Sequence, residues 1–135
     1  MAQFIRVEIS PGELIDKMTI LEIKRDRITN AAQLRNVQHE LAMLTQTHDQ
    51  TIPKNAALAT LTNELKTVNE QLWEIEDEIR ICERDQNFGT RFIELARSVY
   101  RTNDERARLK REINTLLNST LIEEKSYANY SADVA

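Results

Sequence analysis

The sequence predicts an all-α protein, built as a long antiparallel helical hairpin or three-helix bundle of coiled-coil character. In three stretches, apolar residues recur at alternating three- and four-residue steps, which is the spacing of a helix packed lengthwise against other helices. The 135 residues include only two glycines and two prolines, so sharp turns must be few. A composition of 41% hydrophobic and 30% charged residues suits long, solvated helices. This length predicts a single domain over residues 1–135.

Residues 4–9 alternate between apolar and polar side chains before the first helix begins. The apolar positions are Ile5, Val7 and Ile9, and the polar ones between them are Arg6 and Glu8. This pattern predicts a short strand-like arm that cannot stand alone. Its unpaired backbone groups need a partner, either the tail of the same chain or the same arm in a second subunit.

The strongest helix-start signal lies at residues 10–13. Ser10 is predicted to cap the helix with its hydroxyl, while Glu13 reaches back to the amide of the cap. Pro11 loses no hydrogen bond at the first helical position. We expect one helix over 11–48, with a kink or register change at 29–33.

The remaining elements follow from turn residues and from the apolar repeat. Pro53 and Gly89 lie at the two predicted turns between long helices. Thr120 and Glu123 repeat the capping pattern, which allows a short helix near the C-terminus. The predicted elements are helices over 53–85 and 90–118, a short helix over 120–127, and a frayed tail over 128–135.

Polar residues interrupt the apolar seam at one height of the predicted bundle. Antiparallel pairing about the two turns places Leu72 opposite Asn30 on the first helix and Thr102 on the third. The same height gathers a candidate polar layer, with its last member one turn further along. The layer consists of Arg27, Asn30, Asn69, Trp73, Glu76, Tyr100, Thr102, Asn103, Arg106 and Lys110.

Three interpretations of this polar layer remain open. Buried polar groups without partners cost several kcal/mol each, so a structural network that fixes helix register is the leading interpretation. The alternative is a ligand site, in which Arg27 and Arg106 clamp a carboxylate or phosphate and Glu76 orients them. The third interpretation is simple exposure at an uneven bundle surface.

The sequence offers no recognisable set of catalytic, metal-binding or cofactor-binding residues. His39 and His48 lack the Glu-x-x-His spacing of di-iron bundles, and Cys82 falls on the apolar seam as a buried, inert thiol. We therefore predict no catalytic residue, no metal and no cofactor. A net charge of −4 argues against nucleic acid as a partner.

No apolar run approaches the roughly 18 residues of a membrane span, which predicts no membrane partner. The N-terminus also lacks an apolar run of signal-peptide length. A single cysteine suits a reducing compartment. These features together predict a cytoplasmic protein.

The segment at 10–24, SPGELIDKMTILEIK, resembles the signature of an uncharacterised family of small bacterial helical proteins, a domain of unknown function. Further blocks fit the same family at 69–77, 96–104, 110–114 and 124–127, and the motifs LWEIED, NDERA and EEKSY occur at 72–77, 103–107 and 123–127. The resemblance implies no activity. It implies an interaction module, since similar segments occur attached to glycan-synthesis or repeat-containing proteins.

Our functional prediction is a non-enzymatic structural or protein–protein interaction module. A long thin bundle buries little surface, so self-association as a homodimer is expected, and another protein is a further candidate partner. The alternative is a small-anion-binding protein or an all-helical enzyme that uses the polar layer.

Overall fold

The computed structural model describes residues 3–131, and these contain four α-helices and no strand. The predicted all-α class is therefore confirmed. The helices are α1 (Pro11–Arg27), α2 (Ala31–Thr51), α3 (Ala56–Arg84) and α4 (Thr90–Leu116). None of the described helices is both long and apolar enough to cross a lipid bilayer.

The first predicted helix, 11–48, is in fact two helices that meet at a sharp break. Ile28 and Asn30 both adopt extended backbone, with ψ angles of 132° and 123°. The Asn30 side chain accepts a hydrogen bond of 3.0 Å from the backbone amide of Gln33 and so caps α2. A short polar side chain at this position satisfies an amide that has no partner inside the helix. The predicted kink is therefore a full chain reversal.

This reversal changes which helices face each other. Asp16 of α1 bonds Arg106 of α4, while Gly12 bonds Asn114, so α1 runs antiparallel to α4. Arg91, near the start of α4, pairs with Glu78, near the end of α3, so these two helices are antiparallel as well. α1 contacts all three other helices, whereas α2 packs along α1 alone. The predicted packing of residues 31–48 against the next long helix is therefore not seen, because α2 and α3 have no contact.

The described residues contain two clusters of buried apolar side chains. The larger one joins α1, α3 and α4, and its members are Ile15, Leu58, Leu65, Val68, Leu109 and Ile113. The smaller one lies between α1 and α2 and consists of Leu21, Val37 and Leu41. Burying each such side chain stabilises the fold by about 1.5–3 kcal/mol. The larger cluster thus fixes the three helices that carry the candidate site.

Residues before α1 and after α4 differ from the predictions. Residues 3–9 are exposed and form no strand, so the strand-like arm is not seen. No helix occupies 120–127. Residues 120–131, here named the C-terminal strap, instead follow α4 without regular secondary structure, and ion pairs attach them to it. The last four residues of the predicted tail, 132–135, lie outside the described residues.

Candidate functional site

A buried carboxylate on α1 is the centre of a polar network between three helices. Asp16 is only 1% exposed and accepts two hydrogen bonds from Arg106, at 2.9 Å from Nε and 2.5 Å from Nη2. The Asn69 side chain of α3 donates to Asp16 Oδ1 at 2.9 Å and lies equally close to the Thr19 hydroxyl. The network therefore links α1, α3 and α4 through side chains far apart in sequence.

The geometry of this network explains how a charge is tolerated in the core. Two parallel N–H···O bonds to one carboxylate form the strongest common ion-pair geometry. The hydrogen bond to Asp16 raises the pKa of Arg106, against the opposing effect of burial. Among the described residues, no buried side-chain nitrogen or oxygen lacks a hydrogen-bond partner. The network is thus closed, as a structural role for the polar layer requires.

α1 approaches α4 most closely at Gly12. The Gly12 amide donates to Asn114 Oδ1 at 2.7 Å, and Asn114 is 1% exposed. A Cβ atom at Gly12 would lie 2.5 Å from the Lys110 carbonyl oxygen, which is too close for any side chain. Glycine is therefore required here by the packing of one helix backbone against another.

Lys110 lies one turn of α4 before Asn114, and its ammonium group is placed between two carboxylates. Its Nζ atom is 2.9 Å from Glu13 Oε2 on α1 and 2.7 Å from Glu123 Oε2 on the C-terminal strap. Burial alone would lower the pKa of Lys110, but the hydrogen bonds to Glu123 and Glu13 outweigh it and raise the pKa. The lysine side chain, only 8% exposed, is thus held as a cation.

The C-terminal strap lies along one face of α4, and the two form an open cavity of about 1050 Å³. Lys125 Nζ pairs with Asp104 Oδ1 at 3.0 Å, and this hydrogen bond lowers the pKa of Asp104. The rings of Tyr100 and Tyr130 lie 5.1 Å apart, centroid to centroid. A hydrogen bond to Asp104 raises the pKa of the Tyr130 hydroxyl. The cavity therefore has aromatic, amide and charged walls.

The structure divides the predicted polar layer among several locations. Asn69 and Arg106 join the Asp16 network, and Thr102 is half-buried on α4. Four predicted residues line the cavity between α4 and the strap: Tyr100, Asn103, Arg106 and Lys110.

The other predicted residues lie elsewhere. Arg27 is 5.7 Å above the Trp73 ring and pairs with Glu74. Asn30 caps α2, and Glu76 pairs with Arg80 on its own helix. Arg27 and Arg106 are thus engaged by different carboxylates of this chain, Glu74 and Asp16.

The acidic partners of these cations are not among the predicted site residues. Extending the apolar row of α1 back from Ile23 in four- and three-residue steps reaches Thr19, Asp16 and Gly12. Polar residues and a glycine at such buried positions indicate a close, hydrogen-bonded helix contact. No comparable periodic signal marks Glu123, because the strap is not helical.

The fold and this site define a class of protein: an all-helical protein whose core helices are joined by a closed ionic network. No group of His, Cys, Asp or Glu within residues 3–131 could hold a metal ion.

The chain belongs to a family of unknown function, DUF6165, which matches residues 5–133. This match confirms the resemblance to an uncharacterised domain. Neither the search of curated proteins nor that of solved structures finds a match.

Proposed function

We propose that the protein is a cytoplasmic, non-enzymatic interaction module that acts as a homodimer, joined through its N-terminal arms. The observation that carries this proposal is the exposure of the arm, residues 4–9. Phe4, Ile5 and Val7 are 72%, 90% and 73% exposed, and Ile9 is 40% exposed. Contiguous apolar groups left in water mark a surface that another molecule covers.

The occupant we infer is the same arm of a second copy, because its sequence is self-complementary. Antiparallel pairing centred on Val7 places Ile5 opposite Ile9 of the partner subunit. On the opposite face, Arg6 lies across from Glu8 of the partner subunit, and the same pair repeats across the two-fold axis. Cross-strand pairs of opposite charge and of branched apolar residues both stabilise paired strands.

Pairing would also supply hydrogen-bond partners for the backbone of the arm, which has no regular secondary structure. An unpaired strand edge is a template for another chain, and a two-fold interface uses the same patch on both subunits. Because a two-stranded ribbon alone is marginal in water, its apolar face must also lie against the helices. The arm continues directly into α1 at Ser10 and Pro11, which brings such a ribbon next to the larger core.

The two arginines considered as a possible anion clamp both form ion pairs within the chain, which supports an interaction module rather than an enzyme. Arg27 is held by Glu74, and Arg106 by the buried Asp16. Both cations therefore have a structural partner within the chain. The cytoplasmic placement is supported by the single cysteine, Cys82, which is buried as a free thiol in α3.

Sedimentation equilibrium tests the dimer and the predicted register together. The wild type should dimerise, and Arg6→Glu or Glu8→Arg alone should weaken dimerisation by placing like charges opposite each other. The double variant Arg6→Glu/Glu8→Arg should restore it. Val7→Lys should give a monomer, since two lysines would meet at the two-fold axis.

Lys17→Glu is the matched control, because Lys17 is an exposed residue outside the arm, and it should dimerise like the wild type. A monomeric wild type would refute the proposal. So would a double variant no better than the single ones, because the register would then be different.

A further inference from the structure

The cavity between α4 and the C-terminal strap lies outside the proposed dimer interface and has charged walls of its own. Its floor is α4, which contributes the cationic side chains of Arg106 and Lys110. Its other wall is the strap, which contributes Glu123 and the largely exposed rings of Tyr127 and Tyr130. The volume of about 1050 Å³ lies just above the usual range of small-molecule sites, about 300–1,000 Å³.

The two carboxylates on Lys110 differ in how firmly they are fixed. Glu13 belongs to α1, whose position is set by the larger core and by the Gly12 contact. Glu123 belongs to the strap, and its side chain is 52% exposed. Water can therefore solvate Glu123 when it leaves Lys110, whereas Glu13 remains in place.

Arg106 retains hydrogen-bonding capacity next to this lysine. Arg106 donates to Asp16 through its Nε and Nη2 atoms, so its third nitrogen, Nη1, takes no part in that pair. An oxygen that replaced Glu123 at Lys110 would therefore meet two cations, each of which keeps one carboxylate partner, Glu13 for Lys110 and Asp16 for Arg106.

We propose that this cavity binds a small organic anion, in which a carboxylate or phosphate group takes the place of Glu123 at Lys110. Glu123 then acts as a displaceable internal ligand that occupies the site in the free protein. The body of the ligand lies against Tyr100, Tyr127 and Tyr130, because tyrosine rings offer flat apolar surfaces with a polar edge. Amide groups of Asn103 and Asn129 also line the cavity and suit polar groups on such a body.

Glu123→Gln provides the decisive test, since it removes the competing charge at an exposed position. Calorimetric titration with phenyl phosphate and with benzoate should show binding about tenfold tighter for this variant than for the wild type. Comparison of the two probes distinguishes a phosphate ligand from a carboxylate. Inorganic phosphate and phenol, which each lack one half of the probe, should bind more weakly.

Glu124→Gln is the matched control, because Glu124 pairs with Arg111 outside the cavity lining. It should leave the affinity unchanged, and Lys110→Gln combined with Glu123→Gln should abolish binding. If neither anion binds the Glu123→Gln variant, or if both glutamate variants change affinity equally, the proposal is refuted. The dimer is measured independently by sedimentation, so failure of one proposal leaves the other standing.

Discussion

Replacing Asp16 by Asn tests how much of the fold depends on the buried network. The substitution keeps the shape of the side chain but removes its charge, leaving Arg106 without its counter-ion. Asp16 is 1% exposed and accepts three side-chain hydrogen bonds. Removing one partner of a buried ion pair costs about 3–5 kcal/mol.

We expect the lower end of this range, because the Arg106 side chain is 30% exposed and can turn towards water. A loss of about 3 kcal/mol should lower the melting temperature by roughly 10 °C for a chain of this size. Urea denaturation followed by far-UV circular dichroism measures the change in the free energy of unfolding. Asp26→Asn is the control, because Asp26 is exposed and pairs with its neighbour Arg25, and it should change stability by less than about 0.5 kcal/mol.

A double-mutant cycle with Arg106→Met separates the ion pair from the rest of the network. We expect the two substitutions to be non-additive by more than about 1 kcal/mol, since residues in one buried network are coupled. A cost for Asp16→Asn below about 1 kcal/mol, or simple additivity in the cycle, would show that the network does not stabilise the fold as argued.

Two further substitutions test the contacts beside this network. Gly12→Ala should cost about 1–3 kcal/mol in urea denaturation, because its Cβ would lie 2.5 Å from the Lys110 carbonyl oxygen, whereas Lys17→Ala should be nearly neutral. Asp104 has its pKa lowered in the folded protein by Lys125, so its ionised form favours folding above the ordinary pKa of 3.8. Asp104→Asn should therefore cost roughly 0.5 kcal/mol at neutral pH. Denaturation at decreasing pH should show this difference begin to shrink near 3.8 and disappear as the pH falls through the lower pKa of Asp104 in the folded protein.

The helical part of the fold is largely readable from the apolar repeat. The predicted facing positions on the second and third helices place Leu65 opposite Leu109, and both residues lie in the larger core. The apolar repeat did not predict the end of α1 after Arg27. Asn30 occupies a seam position in the repeat, and a periodic pattern does not distinguish a buried polar residue from a helix cap.

This break explains why the residues of the predicted polar layer lie at several locations. With α1 and α2 treated as one rod, Arg27 was expected beside Arg106, whereas the reversal instead brings Asp16 to that arginine. Residues on α3 and α4 were less affected, because their positions do not depend on where the first helix turns. The strap was beyond prediction, since ion pairs rather than periodic contacts attach it to α4.

The packing of α2 along α1 alone has a consequence for how the molecule opens. Only Val37 and Leu41 of α2 are buried, and both rest on the smaller cluster with Leu21. Local opening of α2 would expose little apolar area and leave the larger core untouched, so it requires much less free energy than global unfolding. We therefore expect the amides of α2 to exchange through opening of this one helix, and those of the other three helices to exchange more slowly.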